Sequence, residues 1–185
     1  SSPTLRAVGA EIAHFKFKHA IIATGSSPIT LPGVEIREGG RIIDSTGALA
    51  LPDIPERLLV IGGGYVGLEL GSFYATLGSR VTVVEMMDSL IAAADADLAR
   101  ALLRRIKETF AAVYTQTKVT ALHEDEDGVD VAFEGQADPA QQRFDRVLVA
   151  VGRRPNSKGL GLENTHVEVD ARGFIKVDVQ QRTVD

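Results

Sequence analysis

Arg57-Leu-Leu-Val-Ile61, followed at once by Gly62-Gly-Gly-Tyr-Val-Gly67, has the pattern of a short apolar strand entering a G-x-G-x-x-G turn that opens a helix. The glycines alone are a weak signal in a chain with 18 Gly among 185 residues. Their setting makes the signal strong. Leu68, Leu70, Phe73 and Leu77 follow at roughly helical spacing. A second apolar strand, Arg80-Val-Thr-Val-Val-Glu85, then ends in an acid about 20 residues beyond the middle glycine, where a carboxylate can accept from the adenosine ribose hydroxyls. This order predicts an α/β fold built on a Rossmann-like βαβ parallel sheet, with a dinucleotide pyrophosphate at the turn.

Each glycine has its own task in such a turn. Gly62 permits the tight passage from strand to helix, Gly64 lets the backbone approach the pyrophosphate with no Cβ in the way, and Gly67 lets the helix press on the sheet. Backbone N–H groups and the helix dipole then meet the phosphates. Gly67 and Gly71 each cost a helix about 1 kcal/mol relative to Ala, which implies a packing reason for keeping them. The plainer alternative is a tight turn without ligand. Glu85 selects the cofactor: its charge repels a 2′-phosphate, and Met86, Met87 and Asp88 offer no cation to hold one, so NAD is expected over NADP. A solvated acid at a strand end is the alternative at that position.

Composition sets outer bounds. A hydrophobic content of 44% suits one ordinary domain, or one domain plus pieces of another, and excludes a disordered chain. A net charge of −5 with no long Lys/Arg run argues against nucleic acid or an anionic membrane as partner. The apolar stretch from Leu58 to Leu77 is broken by glycines and Glu69 and does not suit a membrane span. With no cysteine there is no disulfide or thiol nucleophile here. The start, Ser-Ser-Pro without Met or signal peptide, looks like a cut. His14, His19, His123 and His166 lack metal-ligand spacing, so no metal is expected. The acidic run Glu124 to Asp127 is read as a solvated hairpin tip, and Arg153 with Arg154 as either a phosphate aid or a solvated pair.

Elsewhere, Phe15 to Gly25 reads as a strand ending in a glycine turn, with Pro28, Pro32 and Gly33 as a linker. Asp95 or Asp97 can cap a helix with an apolar stripe of Leu98, Leu102, Ile106 and Phe110. A short strand near Ala111 to Tyr114 follows, then a hairpin over Lys118 to Phe133 turning near Asp127-Gly128, a buried strand from Asp145 to Val151, and one more strand near Gly173 to Asp178.

Four segments together carry a resemblance: Ala-Ile-Ile-Ala-Thr-Gly-Ser26, Gly-Gly-Gly-Tyr-Val-Gly-Leu-Glu-Leu-Gly71, Val-Val-Glu-Met-Met-Asp88 and Val-Gly-Arg-Arg-Pro-Asn156. In this order they resemble the pyridine nucleotide-disulfide oxidoreductases, and within them the dihydrolipoamide dehydrogenase branch, in its bacterial form. The resemblance implies a flavin domain interrupted by an inserted NAD domain. Residues 1–30 would be the end of the first flavin-domain segment, 31–155 the NAD-binding domain with a β-hairpin or meander crossover, and 156–185 the return into the flavin domain. It also implies oxidation of a protein-bound dihydrolipoyl group through a cystine and FAD to NAD, in a cytoplasmic homodimer that serves a lipoyl-bearing acyltransferase of a 2-oxo acid dehydrogenase complex. The cystine, the amino-terminal flavin fingerprint and the carboxyl-terminal His-Glu pair of that family have no counterpart here, so NAD binding without turnover is expected, and no FAD in this chain alone.

Residue by residue, the resemblance maps Gly62, Gly63, Gly64, Tyr65, Val66, Gly67 and Glu85 to NAD contacts, Val119 to the adenine side, and Ala150, Val151, Gly152 and Arg153 to the nicotinamide ribose. Thr24, Gly25 and Ser26 match a flavin contact. Tyr65 matches a nicotinamide gate, with helix-start packing as the alternative, and Glu69 an acid facing the flavin. A different flavoprotein disulfide reductase, an NADH oxidase or peroxidase, and a non-catalytic NAD-sensing module remain alternatives.

Overall fold

The computed structural model describes residues 4–6, 14–50, 53–92 and 94–185. In chain order the elements are β1 (Thr4–Arg6), β2 (His14–Lys16), β3 (Ser26–Pro28), β4 (Ile42–Ile43), α1 (Ser45–Leu49), β5 (Arg57–Ile61), α2 (Tyr65–Thr76), β6 (Arg80–Val84), α3 (Ala96–Thr109), β7 (Ala112–Tyr114), β8 (Lys118–Glu124), β9 (Val129–Glu134), β10 (Gln141–Phe144), β11 (Arg146–Val149) and β12 (Arg153–Pro155), with a short 3₁₀ turn at Leu162–Asn164. They divide between two compact units, Ser27–Arg154 and a second made of Ser1–Ser26 with Pro155–Asp185.

The larger unit is built on the expected parallel sheet, in the order β4-β11-β5-β6-β7. β5 runs beside β6 from Arg57↔Arg80 to Ile61↔Val84, and beside β11 from Arg146↔Leu58 to Val149↔Ile61. A parallel sheet covered on both faces needs apolar residues at every position, which is why Leu58 to Ile61 and Val81 to Val84 are buried almost without alternation. One face, through Leu58, Val60, Val81, Val83 and Leu148, meets Leu68 and Tyr74 of α2 and Ile106 and Phe110 at the end of α3. The other, through Leu59, Ile61, Val84, Val147 and Val149, meets the antiparallel sheet β10-β9-β8 at Val129, Val131, Phe133 and Phe144. The rings of Phe133 and Phe144 pack edge to face at 6.5 Å, and the Arg57 guanidinium lies 5.4 Å from the Phe144 centroid.

The hairpin turn falls at Asp125 to Gly128 as expected, but its acidic run is not simply solvated. Glu124 accepts from the Arg41 backbone N–H and pairs with Arg37 at 3.7 Å, while the Arg41 guanidinium donates to Glu126 O. Asp125 accepts from Arg143 at 2.6 Å and from its own turn N–H groups, and the Arg143 hydrogen bond chiefly holds its carboxyl below the usual carboxylate range. The two ends of this unit also meet: Ile29 N–H donates to Gly152 O at 3.0 Å.

Several expectations need correction. Of the apolar residues marked in α2, Leu68 is buried and Leu70 packs partly on the core, but Phe73 and Leu77 are 56% and 46% exposed, and Gly67, Gly71 and Tyr74 complete the buried face. Apolar spacing alone leaves out the two glycines, whose cost within a helix itself points to a packing role. In α3, Leu98 is 66% exposed while Ile106 and Phe110 are buried. At about 100° per residue an i, i+4 stripe rotates about 40° at each step, so only its far end stays on the sheet. Asp95 is the N-cap residue by position but makes no side-chain cap bond, and Asp97 bonds its neighbour Leu98 N–H at 3.0 Å. β4, α1 and β10 were not expected. α1 is nucleated by Asp44, whose Oδ1 accepts from Thr46 and Gly47 N–H at 2.9 Å.

In the other unit, β1 and β2 pair antiparallel from Thr4↔Lys16 to Arg6↔His14. The run expected as a strand from Phe15 to Gly25 is one only to Lys16, because the apolar residues beyond have no ladder among the described residues; Ile21 is 94% exposed. The segment near Gly173 to Asp178 forms only a single bridge, Val169↔Ile175, since Asp170 turns the chain by accepting from the Arg172 and Phe174 N–H groups. The fully buried apolar residues among those described lie in Ser27–Arg154.

Phe144 seals the meander against the parallel sheet, so Phe144→Ala is expected to lower unfolding free energy by about 3–5 kcal/mol. Urea unfolding followed by far-UV circular dichroism checks it; a loss below about 1 kcal/mol would mean that the meander is not part of the cooperative core.

Candidate functional site

At the carboxyl ends of β5, β6 and β11 three chain reversals converge. β5 leads through α2 to β6 on one side while β11 lies on the other, so the glycine turn occupies a topological switch point of the sheet, where open α/β folds place ligands. Gly62 has φ +109°, and a Cβ there would fall 2.4 Å from Ala150 O; its N–H donates to Val84 O at 2.9 Å. The turn is thereby wedged between both neighbouring strands. A Cβ on Gly67 would meet Gly62 O at 2.4 Å and Val60 Cγ1 at 3.0 Å, so α2 approaches β5 more closely than any other residue would allow. Around Gly64 nothing lies within 4 Å of a built Cβ: that approach is open.

Gly64 is also the N-cap residue of α2, with no side-chain cap bond and no acid in the first turn. The first N–H groups of a helix have no intrahelical partner. Twelve residues of aligned peptide dipole thus end at an uncapped N-terminus beside open space, which suits an anion.

Glu85 stands where β6 ends. Its Oε2 accepts from Gly63 N–H at 2.7 Å and its Oε1 from Met87 N–H at 2.8 Å. The carboxylate is therefore not a solvated strand-end acid but is tied to the glycine turn. Each oxygen retains a further lone pair for a hydroxyl donor. The backbone of Glu85 is fixed as well, its N–H donating to Tyr114 O at 2.8 Å and its C=O accepting from Thr117 N–H at 2.9 Å. The following loop folds back: Ile91 N–H donates to Gly63 O at 2.9 Å, and Leu90, 2% exposed, lies so close that a Cβ on Gly63 would fall 2.3 Å from its Cδ2. Ile91 has φ +50°, rare for a β-branched residue. Sequence reasoning missed Leu90 and Ile91: the loop is already apolar at Met86 and Met87, and nothing local sets the later pair apart.

The other candidates are placed as follows. Ala150 continues β11, its N–H donating to Ile61 O at 2.8 Å, and Val151 and Gly152 lead outward from it, with Gly152 at φ +132°. Arg153 reaches across to Ser45 at the start of α1, Nη1 to Oγ 3.1 Å, an anchor sequence reasoning did not foresee. Val66 is half-buried beside the turn, and Val119 is half-buried on β8 against the meander core. Tyr65 is 66% exposed, and Glu69, one turn on, is exposed, so water solvates the charge. Thr24, Gly25 and Ser26 lie in the other unit, where Asn156 binds Gly25 O through its N–H at 3.0 Å and Thr24 O through its Nδ2 at 2.9 Å. Among the described residues no three His, Asp or Glu are grouped as metal ligands, and no helix is long and apolar enough to cross a membrane.

A parallel sheet with a glycine turn at its switch point, an uncapped helix behind it and an acid on the next strand define a Rossmann-type α/β domain. The family model for pyridine nucleotide-disulphide oxidoreductases matches residues 4–185, and the chain belongs to that family. It is 51% identical over 168 residues to a dihydrolipoyl dehydrogenase of Vibrio cholerae, covering 90% of this chain and 35% of that protein. To the dihydrolipoyl dehydrogenase of Geobacillus stearothermophilus it is 43% identical over 181 residues, covering 97% and 38%. Among solved structures, it superposes on LpdA from Mycobacterium tuberculosis with a TM-score of 0.83 at 27% identity, covering 98% of this chain and 39% of that one. The HOCl-induced flavoprotein disulfide reductase RclA from Escherichia coli gives 0.78 at 29%, covering 92% and 38%. The chain is homologous to dihydrolipoyl dehydrogenases and spans a little over a third of their length.

Gly67→Ala puts a methyl group into the contact between α2 and β5. Helix propensity alone would gain about 1 kcal/mol; overpacking at about 2–3 kcal/mol is expected to win, for a net loss of about 1–2 kcal/mol in urea unfolding. A stabilised variant would show that the contact relaxes freely.

Proposed function

We propose that this chain is the NAD-binding module of a flavin-dependent dihydrolipoyl dehydrogenase. The observation that carries the reading is the Glu85 carboxylate, held against Gly63 N–H at 2.7 Å beside the uncapped start of α2. That juxtaposition offers an anion site for the pyrophosphate and, next to it, a fixed negative charge that accepts from free ribose hydroxyls and repels a 2′-phosphate. Gly62, Gly63, Gly64, Tyr65, Val66 and Gly67 would hold the pyrophosphate segment, Val119 the adenine side, and Ala150, Val151, Gly152 and Arg153 the nicotinamide ribose. The hydrogen bond from Arg153 to Ser45 holds that guanidinium at the start of α1. Bound NAD would supply the hydride acceptor. Tyr65, exposed at the helix start, would cover the nicotinamide, and Glu69 would face the flavin of the parent enzyme.

In the parent, a protein-bound dihydrolipoyl dithiol is oxidised to the disulfide, its two electrons passing by a cystine and FAD to NAD with release of one proton. Residues 31–155 form the NAD domain in this reading, with 1–30, including Thr24, Gly25 and Ser26 at the FAD, and 156–185 belonging to the flavin domain. The parent is a cytoplasmic homodimer whose partner is the lipoyl-bearing acyltransferase of a 2-oxo acid dehydrogenase complex, and this chain alone binds NAD(H) without turnover. The 51% identity to a dihydrolipoyl dehydrogenase supports this substrate class; the likeness to RclA favours, as second reading, a disulfide reductase with another substrate.

Fluorescence titration with NADH and NADPH tests the reading. NADH is expected to saturate and NADPH to bind more weakly. Glu85→Ala should weaken NADH about tenfold or more, the scale of a lost charge-assisted hydrogen bond, and Glu85→Gln should gain NADPH affinity by removing the repulsion. Equal or tighter NADPH binding by the unaltered chain would overturn the assignment.

A further inference from the structure

The loop behind Glu85 is held far more firmly than its irregular backbone suggests. From Met86 to Ala92 it forms only bends and turns, yet it is fastened to the middle of the glycine turn from two sides. Ile91 N–H donates to Gly63 O, and Gly63 N–H donates to the Glu85 carboxylate, so one peptide residue carries both ends of the loop. Leu90 closes the arrangement: it is buried in the same core as Leu68 and Phe110, and it fills the space where Gly63 would otherwise bear a side chain. Ile91, whose N–H meets Gly63 O, has left-handed backbone, and Leu90 just before it is buried in the core.

We propose that Leu90 is a positioning residue for nucleotide selectivity: by seating on Gly63 it holds that peptide against Glu85, and so fixes the carboxylate where it meets the 2′ position of the ribose. This rests on the NAD reading above. A carboxylate discriminates between a hydroxyl and a phosphate only if it cannot swing aside, and its two anchors here are Gly63 N–H and Met87 N–H, both set by the loop that Leu90 pins. Truncating Leu90 frees the Gly63 peptide, removes one anchor, and lets the carboxylate turn away from an incoming phosphate. A residue that served the fold alone would weaken both nucleotides alike.

The test compares the unaltered chain with Leu90→Ala and the volume-conserving Leu90→Met. Two quantities are read: the ratio of NADPH to NADH dissociation constants, and the hydrogen-exchange rate of the Gly63 amide relative to that of Val60 in the β5 core. Leu90→Ala is expected to lower the first about tenfold and raise the second about tenfold, the worth of one charge-assisted hydrogen bond, while Leu90→Met keeps both near their starting values. Should Leu90→Ala not fold, Leu90→Val carries the same comparison. An unchanged nucleotide ratio, or Gly63 and Val60 exchange rising together, would overturn the proposal. If the unaltered chain binds neither nucleotide, the NAD reading falls and the selectivity role with it, whereas the exchange ratio without nucleotide still decides whether Leu90 holds the Gly63 peptide.

Discussion

The approach of α2 to β5 sets the geometry of the whole carboxyl edge of the sheet. With Gly67 above Gly62 O and Val60, and Gly71 facing Phe110 and Val81, the helix lies lower on the sheet than side chains would permit. That depth carries the start of α2 down to the strand ends, so its unpaired N–H groups open at the level where β5, β6 and β11 stop. Raising the helix by even a methyl group would lift the turn away from Ala150 on one side and Glu85 on the other. Interiors are close-packed, and such a shift cannot be absorbed locally.

The opposite face depends on a different device. The meander β8-β9-β10 brings Phe133, Phe144, Val129 and Val131 onto Leu59, Ile61 and Val147, and its tip is tied to the chain ahead of β4 through Glu124, Glu126 and Arg41. The parallel sheet is thus covered by helices on one side and by a second sheet on the other. Of these contacts the apolar ones supply the energy, since burial is non-directional and scales with area. The exposed ion pairs at the tip fix where the hairpin lies rather than how stable it is.

How much of this could be read beforehand varies with the kind of signal. β5, the glycine turn, α2, β6, the hairpin and β11 were legible because period and turn chemistry are local properties of the chain. The face of α2 was legible in part: Leu68 and the packing role of Gly67 and Gly71 were read from the chain, whereas Phe73 and Leu77 are exposed and Tyr74 is buried in their place. α1 and β4 were missed because each is too short to show a period, and Asp44 at the cap was the one available cue. At the site, Glu85 was found by its spacing, but its bond to Gly63 N–H was not, nor was Leu90. Those contacts join residues more than twenty positions apart through a loop without regular structure, and no pattern along the chain encodes them.

The hydrogen bond from Ile29 to Gly152 bears on how such a body travels between proteins. A compact unit whose two ends touch needs only a narrow gap in whatever carries it. A host would contribute two adjacent backbone ends, and because those ends are already neighbours, the loop-closure entropy that an insertion costs is small. A unit with this closure can be threaded into the surface loop of another domain, or lifted out of it, as a single exchangeable part.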